Sequence, residues 1–527
     1  MTISNIAYKA LEDTVGANNI SREPADLDSY CFVWGNELLY GDKFSPRPLA
    51  VIMPENTEEV SAIVKTCNRV GLKYRAHASG FEVTALSSDS PFICIDLRRM
   101  NRIVDIDPKN RIAVVEPYVS QMKLFLETRK HGLRPLMLSS GPSCSVVAGC
   151  AAHFGSGASN ISTDYGSRNL LGVEWVLPDG DIIRLGSLGS SGEWISADGP
   201  GPSLRGVLRG YGGANGGNGV FTRLATKIYP WYGPTETRVI GEGPNYELEI
   251  PENFEVYTFN FPDMNSINDF NHFIYEASIA FHFQRLAVPF VLGLPTTSND
   301  QLYSLLQSIP KEVMDSLGPY GASLGIDASS KEEMEYKKKV VNKIIEKTKA
   351  EQIPLDETVK GSLYYHVLTG GRVLRAIFRP GGSFMITATG DETIDNIGVV
   401  GEEVRNEALA ELYDSGAVFN AIPMLNWQIC YGEGSGHVES LLAYDAADPE
   451  ACTKIAVSCE KADHITAQRG LGINSLENCL SYKESALKAA MPHNTLDFVK
   501  YMRMIKRAID PNNSSDAAFY VSPDEWE

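Results

Sequence analysis

Three separate stretches of small residues limit most strongly the folds that are open to this chain. They read YRAHASGFE (residues 74–82), SSGPSCSVVAGCAAHFGSGASN (139–160) and GGANGGNGVFT (212–222). Because glycine, serine and alanine leave the backbone accessible, successive N–H groups in such stretches can point at an anion. One stretch of this kind is typical of any turn. Three of them, interspersed with apolar, strand-like segments, indicate a cradle for a phosphate-bearing ligand.

The common phosphate-binding fingerprints are absent from the sequence. No GxGxxG follows the first strand with an acidic residue about 20 positions further on, and no GxxxxGK[ST] occurs. If the chain binds a dinucleotide, it therefore uses a different kind of cradle.

The order of the predicted elements favours an α+β fold. After a strand at Leu49–Met53, Thr57 is predicted to cap a helix that ends at Gly71. Further strands are predicted at Phe92–Asp96, Ile103–Ile106 and Arg111–Val115, followed by a helix at Ser120–Lys130. Strand, helix, strand and then antiparallel-looking strands do not fit a simple parallel sheet.

A chain of 527 residues is long enough for several domains. A shift in composition places a domain boundary near residue 238, so that residues 1–238 form the first domain. Residues 239–475 are predicted to form a second, α+β domain with an antiparallel sheet. Residues 476–527 are expected to return to the first domain.

Over residues 48–230 the sequence resembles the FAD-binding domain of the vanillyl-alcohol oxidase superfamily, the p-cresol methylhydroxylase-type flavoproteins. The resemblance is carried, in order, by PLAVIMPENTEEVSAIVKTCNRVGLKYRAHASG, GPSCSVVAGCAAHFGSG, YGSRNLLGVEWVLPDGDIIRLG and GGNGVFTRLATKIYP. It implies FAD as the cofactor, a two-subdomain FAD-binding domain and a substrate-binding cap domain. It also implies an activity like that of FAD-linked oxidases, such as the glycolate oxidase or D-lactate dehydrogenase subunits.

The resemblance also implies which residues contact FAD. Backbone donors from small residues suit two negatively charged phosphates. The matching positions are Arg75, His77, Ala78, Ser79, Gly80, Phe81, Pro142, Ser143, Gly149, Ser156, Gly157, Tyr165, Gly166, Gly219 and Val220. Because Ser79 replaces the histidine that tethers FAD in many relatives, we expect FAD to be bound without a covalent link.

The bulk composition excludes several other classes of protein. A formal net charge of −19 argues against binding to nucleic acid or to anionic lipid. No apolar run is long enough to span a membrane, and the N-terminus does not resemble a secretory signal. The nine cysteines form no CxxC pair, which argues against a disulfide framework or an iron–sulfur cluster. We expect a cytoplasmic protein that forms a homo-oligomer.

Candidate catalytic residues lie in two segments of the second half. Tyr365 and His366 stand in an aromatic run that is typical of a strand, and Arg375 and Arg379 follow as candidates for binding a substrate anion. His437 and Glu439 alternate onto one face of a predicted strand. They are read as a base with its orienting carboxylate, as half of a metal site or as a cross-strand hydrogen-bonded pair, and Glu439 is also a candidate for binding the substrate.

Arg469 is the fourth catalytic candidate. It stands in ITAQRGLGINS, where relatives that oxidise D-2-hydroxy acids often carry Glu-His-Gly-x-Gly. A Gln–Arg pair does not supply ligands for a divalent metal, so we expect no metal site.

Two functions therefore remain open. The first is an FAD-dependent oxidoreductase that oxidises a small alcohol, hydroxy acid or phenol by hydride transfer to flavin N5. The alternative is an FAD-carrying subunit that passes electrons to an acceptor protein and has little activity alone. The tyrosine content and the missing Glu-His pair lean towards an aromatic substrate.

Overall fold

The computed structural model of the chain describes most of its length. The described residues are 3–32, 35, 37–38, 44–80, 91–138, 141–152, 155–157, 159–186, 192–194, 204–209, 214, 217–242, 246–317, 319–379, 381–419, 425–432, 434–469 and 498–516.

The first sheet has four strands in the order β1-β2-β4-β3, and β2, β4 and β3 run parallel. Its elements are α1 (Asn5–Val15), β1 (Ile20–Ser21), α2 (Pro24–Asp28), β2 (Ala50–Ile52), α3 (Thr57–Val70), β3 (Lys73–His77) and β4 (Phe92–Asp96). Helix α3 connects the parallel strands β2 and β3, as such a crossover requires.

The expected start of helix α3 was wrong by one residue. Asn56, not Thr57, is the N-cap, because the Asn56 side chain accepts a hydrogen bond from the amide of Glu59. The Thr57 hydroxyl instead donates to Glu174 Oε1 at 2.7 Å. Gly71 ends the helix in the left-handed region, as predicted.

The second sheet has five antiparallel strands in the order β5-β6-β10-β8-β9. Its strands are β5 (Ile103–Asp107), β6 (Ile112–Val115), β8 (Leu170–Val176), β9 (Ile182–Leu185) and β10 (Val220–Lys227). Around it lie α4 (Gln121–Thr128), α5 (Asn160–Thr163) and the pair β7 (Leu133–Arg134) and β11 (Tyr229–Pro230). The two sheets together form the N-terminal part of the chain.

The third sheet has seven strands in the order β17-β14-β16-β15-β19-β20-β18. All of its pairings are antiparallel. Its strands are β14 (Phe254–Asn260), β15 (Ala280–Arg285), β16 (Gly321–Asp327), β17 (Glu351–Gln352), β18 (Gly382–Thr393), β19 (Leu425–Cys430) and β20 (Ser435–Asp445), preceded by the short pair β12 (Val239–Ile240) and β13 (Glu247–Leu248).

Ten helices of the described chain belong to this C-terminal part. They are α6 (Met264–Ala277), α7 (Val288–Gly293), α8 (Asn299–Ser308), α9 (Lys311–Leu317), α10 (Lys331–Thr348), α11 (Glu357–Thr369), α12 (Gly371–Phe378), α13 (Ile394–Ala408), α14 (Ala410–Asp414) and α15 (Pro449–Gln468). The fold is therefore α+β with antiparallel sheets, as predicted.

The two faces of the seven-stranded sheet have different neighbours. Helices α6, α10, α13 and α15 bury their apolar sides on one face. The other face shares an apolar core with helix α11 and with Phe125, Met137 and Trp231 of the N-terminal part. This second face is therefore turned towards the predicted FAD-binding domain.

The C-terminal helix α16 (Phe498–Ile509) leads back to the first sheet. Ser515 bridges to Tyr74, and Asp516 pairs with Arg75 at 2.7 Å, with both side chains buried. The described C-terminal residues thus contact the strand that precedes the first small-residue stretch. The boundaries at 238 and 475 stay predictions.

Candidate active site

A row of four residues crosses the third sheet on the face turned towards the N-terminal part. Gln284 on β15 pairs with Ile429 on β19, Ile429 pairs with His437 on β20, and His437 pairs with Asp391 on β18. Directly paired residues project from the same face of a sheet. The register therefore brings polar residues from three distant parts of the sequence onto one surface.

His437 lies between two carboxyl groups in this row. Its Nε2 is 2.8 Å from Glu439 Oε1 and its Nδ1 is 3.2 Å from Asp391 Oδ1. Tyr431 donates to the same Asp391 oxygen at 3.1 Å. The other oxygen, Asp391 Oδ2, is buried and has no hydrogen-bond partner among the described residues. The cluster thus offers one unused buried acceptor.

The charges in this cluster depend on one another. Burial opposes a positive charge on His437, but Asp391 and Glu439 outweigh burial and raise the His437 pKa to about 9. Burial also raises the pKa of Asp391 to about 6, although His437 and Tyr431 act in the opposite direction. At neutral pH an imidazolium therefore faces an ionised Asp391.

Tyr431 connects this cluster to the N-terminal part of the chain. Its hydroxyl is 3.4 Å from Ser156 Oγ, and its ring meets the ring of Tyr165 edge to face with centroids 5.3 Å apart. Arg168 donates to the Tyr165 hydroxyl at 2.8 Å. Ser156 and Tyr165 belong to the predicted cofactor set, so the cluster adjoins two predicted FAD contacts.

The glycines of the second stretch are needed for contacts within the protein. A Cβ on Gly155 or on Gly166 would lie 1.9 or 1.8 Å from the carbonyl oxygen of Gly149, and one on Gly157 would lie 2.0 Å from that of Met137. Gly149 itself lies in a π-helical turn, Ala148–Ala152, a feature frequent at functional sites. These glycines therefore let backbone pack on backbone, and the approach of a ligand is not needed to explain them.

The first stretch has the features of an anion cradle. No described residue accepts a hydrogen bond from the amides of Ala78, Ser79 or Gly80, and Gly80 has a φ of 65°, which favours glycine. His77 Nδ1 is buried without a described partner, and burial lowers its pKa. Free amides after a strand fit the pyrophosphate of FAD. The residues present are thus compatible with this cofactor.

Other members of the cofactor set have mainly protein partners. The amide of Gly219 donates to Ser515 Oγ at 2.9 Å, and Val220 is fully buried in the apolar core of the first sheet. The guanidinium of Arg75 stacks on Phe92 besides pairing with Asp516. Pro142 and Ser143 form the turn before the π-helical segment, and Phe81 lies outside the described residues. The predicted FAD contacts of these residues stay predictions.

Tyr365 and His366 lie in helix α11, so the expectation of a strand there was wrong. Asp356 caps the helix at its N-terminus and Gly370 ends it in the left-handed region. His366 is buried and its Nε2 is 2.9 Å from Gln284 Oε1, which places it at the opposite end of the row from Asp391. Burial, followed by the neighbouring His282, lowers the His366 pKa to about 3. Tyr365 is partly buried with its ring near Tyr246.

Of the candidate anion-binding arginines, Arg375 lies in helix α12 and Arg379 is the residue that caps its C-terminus. Arg379 donates to the carbonyl and hydroxyl oxygens of Thr296 at 2.6 and 2.9 Å, and Arg375 donates to the carbonyl of Thr297 at 3.5 Å. Arg469 follows helix α15, half exposed, and pairs with Glu403 and Glu407. The structure does not bring these arginines to the His437 cluster. Their roles in catalysis and binding stay predictions.

Asp391 and Tyr431 were missed by the analysis of the sequence. Asp391 lies 46 positions before His437, and only the β18–β20 register reveals their contact. Tyr431 stands in the segment CYGEGSGHVE, where an aromatic residue six positions before a histidine is not a distinctive pattern. Long-range strand pairing, which the local pattern does not encode, brings the cluster together.

The described ranges contain neither a membrane-spanning helix nor a metal-binding cluster. No helix among these residues is long and apolar enough to cross a membrane. Within the same residues, no group of three or more histidine, cysteine or acidic side chains is arranged to hold a metal ion. All eight described cysteines are buried, and no disulfide joins any two of them.

The N-terminal part of the chain is similar to known FAD-binding proteins. Residues 48–186 match the FAD binding domain family. The chain is 29% identical over 214 residues to the flavoprotein subunit of 4-cresol dehydrogenase (hydroxylating) from Pseudomonas putida, covering 39% of each chain. It is 28% identical over 189 residues to the glycolate oxidase subunit GlcD of Escherichia coli, covering 36% of each. These matches span little more than a third of the relatives' own lengths.

The likeness in structure extends over the whole chain. The crystal structure of p-cresol methylhydroxylase with substrate bound superposes with a TM-score of 0.78 at 17% identity, covering 99% of this chain and 98% of that one. This confirms the predicted fold. Residues 48–186 thus match the FAD binding domain family, and the chain has the p-cresol methylhydroxylase-type fold.

Proposed function

We propose that this protein is an FAD-dependent oxidoreductase that oxidises a small, uncharged hydroxyl compound, with phenols as the first class to test. The observation that carries the proposal is the buried, unused oxygen Asp391 Oδ2, beside Tyr431 and next to two predicted FAD contacts. A buried acceptor without a partner is costly, and a substrate hydroxyl would satisfy it.

FAD, when bound, supplies the acceptor for a hydride from the substrate carbon. The chain's own residues would handle the proton of the hydroxyl group. Asp391, with its pKa of about 6, is ionised at neutral pH and is suited to accept that proton. Tyr431 would orient the hydroxyl, and the His437 imidazolium would keep Asp391 ionised and in place.

The charge of the cluster supports an uncharged substrate. Asp391 and Glu439 face a single imidazolium, and an anionic substrate would be repelled by the excess of carboxyl groups. The arginines that were expected to clamp a hydroxy acid contact Thr296, Thr297, Glu403 and Glu407 instead. The relative that oxidises a cresol supports the same choice.

Two measurements test the proposal. The purified protein should retain or take up FAD and be yellow. Under anaerobic conditions the flavin absorption should bleach when a suitable phenol or alcohol is added. If the protein is colourless and cannot be reconstituted with FAD, the proposed cofactor is wrong. A yellow protein that only anionic hydroxy acids reduce would overturn the choice of substrate.

The electron acceptor is a second, separate proposal. Both relatives named above are described as subunits, which favours an acceptor protein over direct reaction with oxygen. Turnover that consumes no oxygen but reduces a dye or a co-purified redox protein would support this. Stoichiometric oxygen consumption by the isolated chain would contradict it.

A further inference from the structure

A cavity of about 440 Å³ lies where the N-terminal part meets the third sheet and its helices. From the N-terminal part it is lined by Asp164, Lys227 and Tyr229, and from the other part by Ile274, Tyr275 and Gly432. This volume is in the range of small-molecule sites, which are common at domain boundaries. Because Asp164 precedes Tyr165 and Gly432 follows Tyr431, the cavity lies beside the tyrosine pair and outside the Asp391 cluster.

Lys227 is the side chain that gives this cavity its chemistry. It is half buried, and no hydrogen bond or ion pair joins its ammonium group to any described residue. Lys227 is the last residue of β10 and pairs there with Ile112 of β6. An ammonium group that is partly desolvated and unpaired favours an anionic partner.

The charged groups around Lys227 reinforce this preference. Burial, then Arg209, lowers the pKa of Lys227; Asp164 acts in the opposite direction, and Arg168 adds to the lowering. Three cationic side chains thus act on one region against the single carboxylate of Asp164, whose Oδ1 accepts from the amide of Tyr165 at 3.2 Å. In a protein with a net charge of −19 this is a locally positive site.

The lining of the cavity mixes apolar and polar residues. Ile161, Ile274, Ala280, Tyr229 and Tyr275 contribute apolar surface, and Ser162, Thr163 and Ser278 contribute hydroxyl groups. The Tyr229 hydroxyl is already bonded to Asn169 Oδ1 at 2.6 Å and to the carbonyl of Thr163, and Arg134 lies over its ring. A ligand with a small apolar body and one negative end would match the apolar lining and Lys227.

We propose that this cavity binds a small aromatic carboxylate, with Lys227 as its counter-ion. The site is separate from the Asp391 cluster and needs no flavin chemistry. Lys227 is a binding residue in this account and takes no part in catalysis.

Benzoate is the probe that tests the proposal, with neutral benzamide as its matched ligand. Isothermal titration of the FAD-loaded protein should show saturable binding of benzoate and at least about tenfold weaker binding of benzamide, since charge-assisted hydrogen bonds are the stronger ones. Lys227→Met keeps an apolar side chain without the charge and should weaken the binding of benzoate by at least about tenfold. Lys227→Arg should restore most of the affinity.

Lys109→Met, at an exposed position of the same part of the chain, is the control and should leave benzoate affinity unchanged. For every variant, flavin absorption measures the cofactor content and the thermal midpoint measures the stability of the fold. The proposal is overturned if the wild-type protein shows no saturable binding, if benzoate and benzamide bind equally, or if Lys227→Met binds benzoate as wild type does. Because no turnover is measured, none of these results bears on the proposed oxidation.

Discussion

His366 and His437 lie on the same side of the same sheet, His366 beside the Gln284 end of the row and His437 within it, yet they have different charge states. Both are buried, with 1% and 0% of their surface exposed. His366 has the neutral amide of Gln284 as its partner and a pKa lowered to about 3. His437 has two carboxyl groups and a pKa raised to about 9. Burial is the same, so the neighbours decide which histidine carries a charge.

Because of this difference in charge, we expect the two histidines to have different roles although they lie on one surface. His366 is neutral and is held by the Gln284 amide through Nε2, while its Nδ1 is buried without a described partner, so it has no charge with which to hold a carboxylate. A buried imidazolium that holds a carboxylate with an unused oxygen is equipped for proton transfer. Of the two histidines that the sequence singled out, we therefore place only His437 in the proposed active site, as the residue that positions Asp391.

The largest expected effect comes from removing the carboxylate that His437 positions. Asp391→Asn keeps the shape and removes the base, so kcat/KM should fall by about 10² to 10⁴-fold. The variant should still bind FAD, because Asp391 is not among the predicted cofactor contacts. Steady-state kinetics and flavin absorption measure the two properties. An activity within about threefold of wild type would exclude Asp391 as the base.

The next effect contrasts the two histidines directly. His437→Gln leaves Asp391 and Glu439 buried without their cation, a loss of about 3–5 kcal/mol. His366→Gln loses one neutral hydrogen bond, a loss of about 1 kcal/mol. The thermal midpoint should therefore drop several times further for His437→Gln. Equal drops would mean that the carboxylates do not need the imidazolium.

The pH dependence of stability should separate the histidines by sign. The folded-state pKa of His437 lies above the ordinary value, so its contribution is complete below about pH 6.5 and is lost as pH rises towards about 9. The folded-state pKa of His366 lies below the ordinary value, so its contribution is present above about pH 6.5 and is lost as pH falls. Compared with wild type, the thermal midpoint of His437→Gln should change less with pH on the alkaline side, and that of His366→Gln should change less on the acid side. If both variants lose the pH dependence on the same side, the charge states assigned to the two histidines are wrong.

The smallest effect is expected at the tyrosine that joins the two parts of the site. Tyr431→Phe removes one hydrogen bond to Asp391 and keeps the ring contact with Tyr165. A loss of about 1 kcal/mol corresponds to a decrease in kcat/KM of roughly fivefold. Tyr444→Phe, in the same sheet but bonded to Glu37 and Ser383 on the other face, is the control. If Tyr431→Phe is as active as Tyr444→Phe, Tyr431 does not orient the substrate.

The elements of the N-terminal part were predicted well because short stretches of sequence determine where they begin and end. The strand at Phe92–Asp96 was placed with its observed bounds, and the Gly71 terminus of helix α3 follows from its left-handed conformation. The segment around Tyr365 was misjudged because its aromatic and β-branched residues favour a strand. The Asp356 cap and the Gly370 terminus fix a helix instead.

The candidate site was only partly predictable for a different reason. His437 and Glu439 share a face through the two-residue period of a strand, which a local pattern can show. Asp391 joins them through strand register over 46 positions, and Ser156 joins through its contact with Tyr431, 275 positions away in the chain. No period or motif within a short window encodes either contact.

The pH profile of kcat/KM tests the central claim most directly. If Asp391 accepts the substrate proton and His437 must stay protonated, wild-type kcat/KM should rise through about pH 6 and fall above about pH 9. In Asp391→Asn the rise near pH 6 should disappear from the residual activity. A wild-type profile without an inflection near pH 6, or the same inflection in Asp391→Asn, would contradict the account.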